Sequence, residues 1–166
     1  MPRKDAIRKA KADKRAGKSA STQAGEFVKD EIDRIREGKH GARSTRQAIA
    51  IGLSEARRAG VDLPPPRKGA KKSTRKSAKY ASEVGQGQRH PKRRPRVSRA
   101  VKKVLEKEPR STVSRRALSK QGKRAASERS AAARSASARK ASRTKGAKAR
   151  SAAAKKAART RARRRS

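Results

Sequence analysis

The sequence predicts a mostly α-helical protein with extensive disorder, in which a small helical hairpin module carries long basic tails. Only 17 of the 166 residues are Leu, Ile, Val or Phe, and a soluble chain with so few large apolar residues and a high net charge is expected to be largely disordered. Lys and Arg number 53 against 13 Asp and Glu, a net charge of +40, and self-repulsion of that size opposes compaction. The 32 alanines favour helix but bury little surface.

Acidic and large apolar residues occur together and mark where folding is possible. Nine of the 17 large apolar residues lie between Phe27 and Leu63, and nine of the 13 acids precede residue 64. The sequence therefore predicts five segments. They are a basic N-terminal arm with a frayed helix at 1–20, the helical hairpin module at 21–63, a Pro/Lys/Arg-rich linker at 64–96, a second weak helical hairpin at 97–121, and an Ala/Ser/Lys/Arg-rich disordered tail at 122–166.

The first helix of the module is predicted from its apolar spacing. Val28, Ile32 and Ile35 recur at i, i+4 and i+7, which places them on one face, and Ser21 or Thr22 can cap the start. Gly38 stands where a left-handed C-cap is expected. Four acids make this helix the part of the chain least suited to phosphate contact: Asp30, Glu31, Asp33 and Glu37.

The second helix is predicted to run from Ser44 to about Ala59. Ser44 and Gln47 have the spacing of a capping box, and Gly60 follows the last turn. Its inward face contains five residues, of which the alanines and the glycine let a partner helix approach closely: Ala48, Ile49, Gly52, Leu53 and Ala56. Ile51 lies off that face, which indicates a second contact surface or self-association.

The remaining segments offer little apolar surface. Pro64, Pro65 and Pro66 end the module because consecutive prolines cannot continue a helix. Further helices are expected at about 98–108 and 112–121. The tail has high helix propensity, so charge repulsion would keep it unfolded until phosphates neutralise it.

This charge balance predicts a polyanionic partner, most directly duplex DNA, held without sequence preference in a histone-like manner. Two alternatives remain: an RNA- or ribosome-associated protein, and an adaptor whose module recruits a protein while the tail only localises it. A membrane partner is not expected, because amphipathic helices with Trp, Phe or Leu are missing. The expected location is cytoplasmic, in the nucleoid if the source is bacterial.

No enzymatic activity, cofactor or metal site is expected. The chain lacks Cys, and its two histidines, His40 and His90, have no neighbouring cluster of carboxylates. Both are interpreted as loop residues. Phe27 is expected in the core and Tyr80 in the linker, since binders of single strands usually carry several aromatic side chains.

The candidate phosphate-binding residues of the module flank its second helix: Lys39, Arg43, Arg46, Arg57 and Arg58. Arg43 and Arg46 lie beside the helix N-terminus, where backbone N–H groups also favour an anion. The alternative is a solvated surface on which Arg57 and Arg58 complement the C-terminal dipole. Further candidates lie in the linker and the tail: Lys92, Arg93, Arg94, Arg96, Arg134, Arg139, Lys140, Arg143, Lys155, Lys156, Arg159, Arg161, Arg163, Arg164 and Arg165.

Two resemblances accompany these patterns. Residues 39–60, KHGARSTRQAIAIGLSEARRAG, resemble the signature of a family of small basic bacterial proteins of unknown function. That resemblance implies a bacterial or phage setting and a helical module, and it implies no chemistry. The tail resembles the Lys/Ala-rich DNA-binding tails of linker histones and of bacterial histone-like and Ku-type proteins.

Overall fold

The computed structural model describes residues 4–67, 69–91 and 94–163, except for the side chains of residues 144 and 145. These residues are helical and contain no strand, which confirms the predicted helical class. The α-helices are α1 (Lys4–Arg15), α2 (Ala20–Arg36), α3 (Thr45–Arg58), α4 (Lys72–Gly85), α5 (Pro95–Lys107), α6 (Arg115–Ser127) and α7 (Ala131–Arg163), with a 3₁₀ turn at Ser111–Val113. The chain divides into two compact units, one ending at Gln121 and the other beginning at Gly122.

Helices α2 and α3 form the centre of the first unit. Phe27 and Ile35 of α2 are fully buried, and they belong to two separate apolar clusters. Gly52 of α3 lies against the backbone of α2, where a Cβ atom would stand 2.7 Å from the Val28 Cα atom. Because Gly52 has no side chain, α2 and α3 can approach each other this closely.

The end of α2 and the start of α3 follow their local sequence signals. The start of α2 does not, because Ser21 and Thr22 lie inside the helix and the N-cap position is Ser19, whose side chain makes no capping hydrogen bond. The Ser44 hydroxyl accepts a hydrogen bond from the Gln47 N–H, as an N-cap does. Gly38 has a φ of +80°, and its N–H donates to the Ile35 carbonyl while the Lys39 N–H donates to the Arg34 carbonyl. This pair of bonds is a Schellman motif, which glycine forms without a Cβ penalty.

Helix α1 packs on α2, although the sequence predicts that it frays. Ala6 and Ala10, one turn apart, are buried in the same cluster as Ala24 and Phe27. Alanine contributes little area per residue, but its small size lets two helix backbones come close. The packing therefore rests on short side chains that the apolar pattern does not reveal.

Helix α4 lies within the segment expected to be a linker, and it packs on α3. Ala78 and Ala81 are buried. A Cβ atom on Gly85 would stand 1.9 Å from the Arg57 carbonyl oxygen, so the end of α4 touches the backbone of α3. Again the contact depends on Ala and Gly.

The loop between α2 and α3 is held by the last turn of α5 and by residues that follow it. The Gly41 N–H donates to the Leu105 carbonyl at 2.7 Å, and the Ala42 N–H donates to the Pro109 carbonyl at 3.2 Å. Val113 of the 3₁₀ turn is buried with Ile35 and Ala48. The second hairpin expected at 97–121 therefore contributes to the core through Val113, while the valines of α5 stay more than half exposed: Val97, Val101 and Val104.

The second unit contains α7, which has a kink where Gly146 adopts non-helical angles of φ 60° and ψ 166°. Among its described side chains none is buried. The extensive disorder expected for the tail is not seen in residues 131–163, whose Ala, Arg and Lys all favour helix.

Candidate nucleic-acid interface

The N-terminus of α3 is bounded by two exposed arginines, Arg43 and Arg46. The Arg43 N–H donates to the Gln47 side-chain oxygen at 2.8 Å. Its guanidinium Nε lies 3.9 Å from a Glu108 carboxylate oxygen and the side chain remains 79% exposed. The Thr45 hydroxyl donates a hydrogen bond to the Thr112 carbonyl, which attaches the first turn of α3 to the 3₁₀ turn. Both arginine side chains are exposed beside this helix end.

At the other end of α3 the two neighbouring arginines differ. Arg58 is exposed, whereas Arg57 is buried and donates from Nη2 to the Pro64 carbonyl at 3.0 Å. Burial lowers the pKa of Arg57. Arg57 therefore holds the proline segment against the module and is unsuited to the phosphate contact expected of it. Lys39 is exposed, and its Nζ atom lies 2.9 Å from a Glu37 carboxylate oxygen.

Two acids of the module are buried, a feature that the sequence does not predict. Glu31 is fully buried and Glu55 is 6% exposed. The Arg34 Nη1 atom lies 3.4 Å from a Glu31 carboxylate oxygen and 3.3 Å from one of Glu55, and the His40 Nε2 atom lies 3.6 Å from Glu31. Burial raises the pKa of Glu31, with His40 and Arg34 acting against that shift. This cluster joins α2, α3 and their loop, and its four residues line a cavity that Lys39 and Arg58 also line.

The structure brings together two predicted residues that are far apart in sequence. Arg58, in the last turn of α3, and Arg94, just before α5, line the same cavity of about 840 Å³. Arg89 and Tyr80 line it as well, although the sequence does not predict a binding role for either residue. Arg96 is exposed on α5. Lys92 and Arg93 lie outside the described residues.

A basic face on α4 was also missed by the sequence analysis. Four of its cations are exposed: Lys72, Arg75, Lys76 and Lys79. They line a second cavity, of about 550 Å³, with Pro65 and Pro66. Recognising 72–85 as a helix, from its Ala spacing and its lack of proline, is the signal that would have found this face.

The tail cations are exposed along α7. The predicted residues with this placement are Arg134, Arg139, Lys140, Arg143, Lys155, Lys156, Arg159, Arg161 and Arg163. Arg164 and Arg165 lie outside the described residues. The segment 131–163 contains twelve Lys and Arg and no Asp or Glu. Its field is therefore of one sign over its whole length.

In the described part of the chain, no group of three or more His, Cys, Asp or Glu side chains could hold a metal ion. None of its helices combines the length and the apolar character needed to cross a lipid bilayer.

Part of this chain is similar to a known protein family. No curated protein and no solved structure shows significant similarity to this chain. Residues 11–68, which include α2, α3 and the proline segment, are similar to a family described as a family of unknown function (DUF6496).

Proposed function

We propose that this protein binds nucleic acid without sequence specificity, as a histone-like protein that binds and compacts DNA by neutralising phosphates and has no catalytic role. The observation that carries this proposal is α7, with its exposed cations and its lack of acids. The charge of this helix and the exposure of its cations support the proposal.

The spacing of charge along α7 suits partial neutralisation of a duplex. The 33 residues of α7 extend for about 50 Å along the axes of its two helical parts, before and after the kink at Gly146, at about 1.5 Å per residue. Its twelve cations then average one per about 4 Å, against one phosphate per about 1.7 Å of duplex axis. The helix can therefore pair all its cations while more than half of the adjacent phosphates keep their counterions.

The composition of α7 favours a nucleic acid over a membrane surface. A helix bound at a bilayer needs a wide apolar face with large side chains. The segment 131–163 has only alanine as an apolar residue, and all around the helix its alanines alternate with Ser, Arg and Lys. In the free protein, repulsion among these cations opposes the helix, and contact with phosphates removes that repulsion.

The first unit supplies a second cationic surface, which is the basis for compaction. Exposed cations lie on α4 and at both ends of α3, including Lys76, Arg46 and Arg58. Two cationic surfaces on one chain can hold two duplex segments together. Neither surface presents a pattern of side chains that would read base edges, so we expect the binding to be sequence-independent.

The experiment that tests this proposal is a competition at about 0.15 M salt, in which unrelated DNA duplexes, duplex RNA and single strands compete for the full-length protein. We expect the DNA duplexes to bind within about threefold of one another, because contacts to phosphate carry no sequence information. Strong preference for one DNA sequence would contradict the proposal. Preference for structured RNA would instead favour the RNA-associated alternative.

A further inference from the structure

The cavity shared by Arg58 and Arg94 has a composition that the general cationic surface does not explain. Three arginines line it, and they come from three different elements: Arg58 from α3, Arg89 from the segment after α4, and Arg94 from the residue before α5. No Asp or Glu is among the described residues that line it. Bringing like charges together in a concave site is unfavourable for folding, and such a site concentrates anions.

One of these arginines already has a carboxylate partner. The Arg89 Nε atom lies 3.1 Å from a carboxylate oxygen of Glu83, a residue of α4. The other carboxylate oxygen of Glu83 lies 3.9 Å from the Lys79 Nζ atom. The Glu83 carboxylate therefore orients the Arg89 guanidinium and offsets part of the positive charge of that guanidinium. Arg58 and Arg94 supply the remaining positive charge of the cavity.

The cavity also has a flat, stacked wall. The Arg89 guanidinium carbon lies 5.3 Å from the centre of the Tyr80 ring, within the range of a cation–π contact. Nucleic-acid bases stack on both aromatic rings and guanidinium planes. The volume of about 840 Å³ lies in the range of small-ligand sites, so the cavity can take a nucleotide.

From these features we infer that the cavity binds one unpaired nucleotide of a nucleic-acid strand, with its phosphate at Arg58 and Arg94 and its base against the Tyr80–Arg89 stack. The inference rests on the proposed function and names the structure that the first unit recognises. A paired base cannot enter the cavity without leaving the helical stack, whereas a base in an overhang is already free.

The test compares three DNA duplexes with the same paired length: one blunt, one with a short single-stranded overhang, and one whose overhang lacks bases but keeps the phosphates. The full-length protein should bind the overhang with bases at least about fivefold more tightly than the base-free overhang, because stacking supplies the difference. A ratio near one for these two overhangs would overturn the inference.

Two variants of equal charge separate the cavity from the rest of the surface. Arg89→Gln with Arg94→Gln should reduce the base-dependent preference to below about twofold, because the base then loses the guanidinium plane on which it stacks. Arg15→Gln with Arg116→Gln, both at exposed positions, should leave it unchanged. If both pairs of substitutions act alike, the cavity does not bind the nucleotide. Thermal unfolding of each variant establishes that it remains folded.

A spectroscopic signal reports on the cavity directly. Tyr80 is the only tyrosine and the chain has no Trp, so its intrinsic fluorescence originates beside the proposed base. The overhang with bases should change this fluorescence in the wild-type protein more than the base-free overhang does. An equal change with both would contradict the inference. Failure of the proposed function is distinguishable, since the protein would then not bind even the blunt duplex at about 0.15 M salt.

Discussion

Replacing six arginines of α7 by glutamine should weaken binding to duplex DNA by at least about a hundredfold at 0.15 M salt. Each cation that pairs with a phosphate releases counterions, and the loss of several such pairs multiplies. Glutamine and arginine have similar helix propensities, so the substitutions remove charge with little change in helical preference. The six exposed positions are Arg134, Arg139, Arg143, Arg150, Arg159 and Arg161.

The matched control keeps the charge at the same six positions. Arginine replaced by lysine retains each cation but loses the fork-shaped guanidinium, so the affinity should stay within about threefold of wild type. Fluorescence anisotropy with a labelled duplex measures the dissociation constants of the wild-type protein, the glutamine variant and the lysine variant. A glutamine variant that binds as tightly as the lysine variant would mean that α7 does not hold DNA by its charge.

The second large effect concerns the packing of α2 on α3. Gly52→Ala should destabilise the first unit by about 1–3 kcal/mol, the usual cost of overpacking. The added Cβ would lie 2.7 Å from the Val28 Cα atom and 3.0 Å from the Phe27 carbonyl oxygen. Both are backbone atoms, so the helices must separate and loosen the contacts of Phe27. The free energy of unfolding, measured with urea, gives this value.

Gly25 provides the control, because it is also a glycine inside a helix. It is exposed on α2, and a Cβ there would meet nothing within 4 Å. Gly25→Ala should therefore stabilise the protein by up to about 1 kcal/mol through helix propensity alone. Stabilisation by both substitutions would show that α2 and α3 do not approach as closely as described.

The pair α2 and α3 could be predicted because its signals are local. The Ser44 cap, the glycine at residue 38 and the spacing of Val28, Ile32 and Ile35 each act within a few residues. Such signals specify where a helix begins, where it ends and which face is buried. The structure places α3 between residues 45 and 58, as the capping box and Gly60 indicate.

Helices α1 and α4 could not be predicted to pack, because their contacts use alanine and glycine. Ala10 and Ala81 are buried, yet alanine is even more common in the exposed segment 131–163. Only the partner surface distinguishes the two cases. The same limit applies to Glu31: its burial follows from the positions of Arg34 and His40 around it, which the sequence alone does not provide.

Part of the candidate interface could likewise be predicted from the sequence, and part of it depends on the tertiary structure. Exposure of the tail cations follows from composition, because residues 131–163 have no large apolar side chain to bury. The convergence of Arg58, Arg89 and Arg94 depends on the tertiary arrangement of α3, α4 and α5. Arg57 and Arg58 are adjacent and chemically identical, yet one is buried and the other exposed.

The central claim is that exposed cations hold nucleic acid by neutralising its phosphates. The most direct test is the dependence of the duplex-binding constant of the wild-type protein on salt concentration. If at least half of the twelve α7 cations pair with phosphates, log K should fall with log salt at a slope of about −5 or steeper. A slope near zero, or no binding at 0.15 M salt, would contradict the claim.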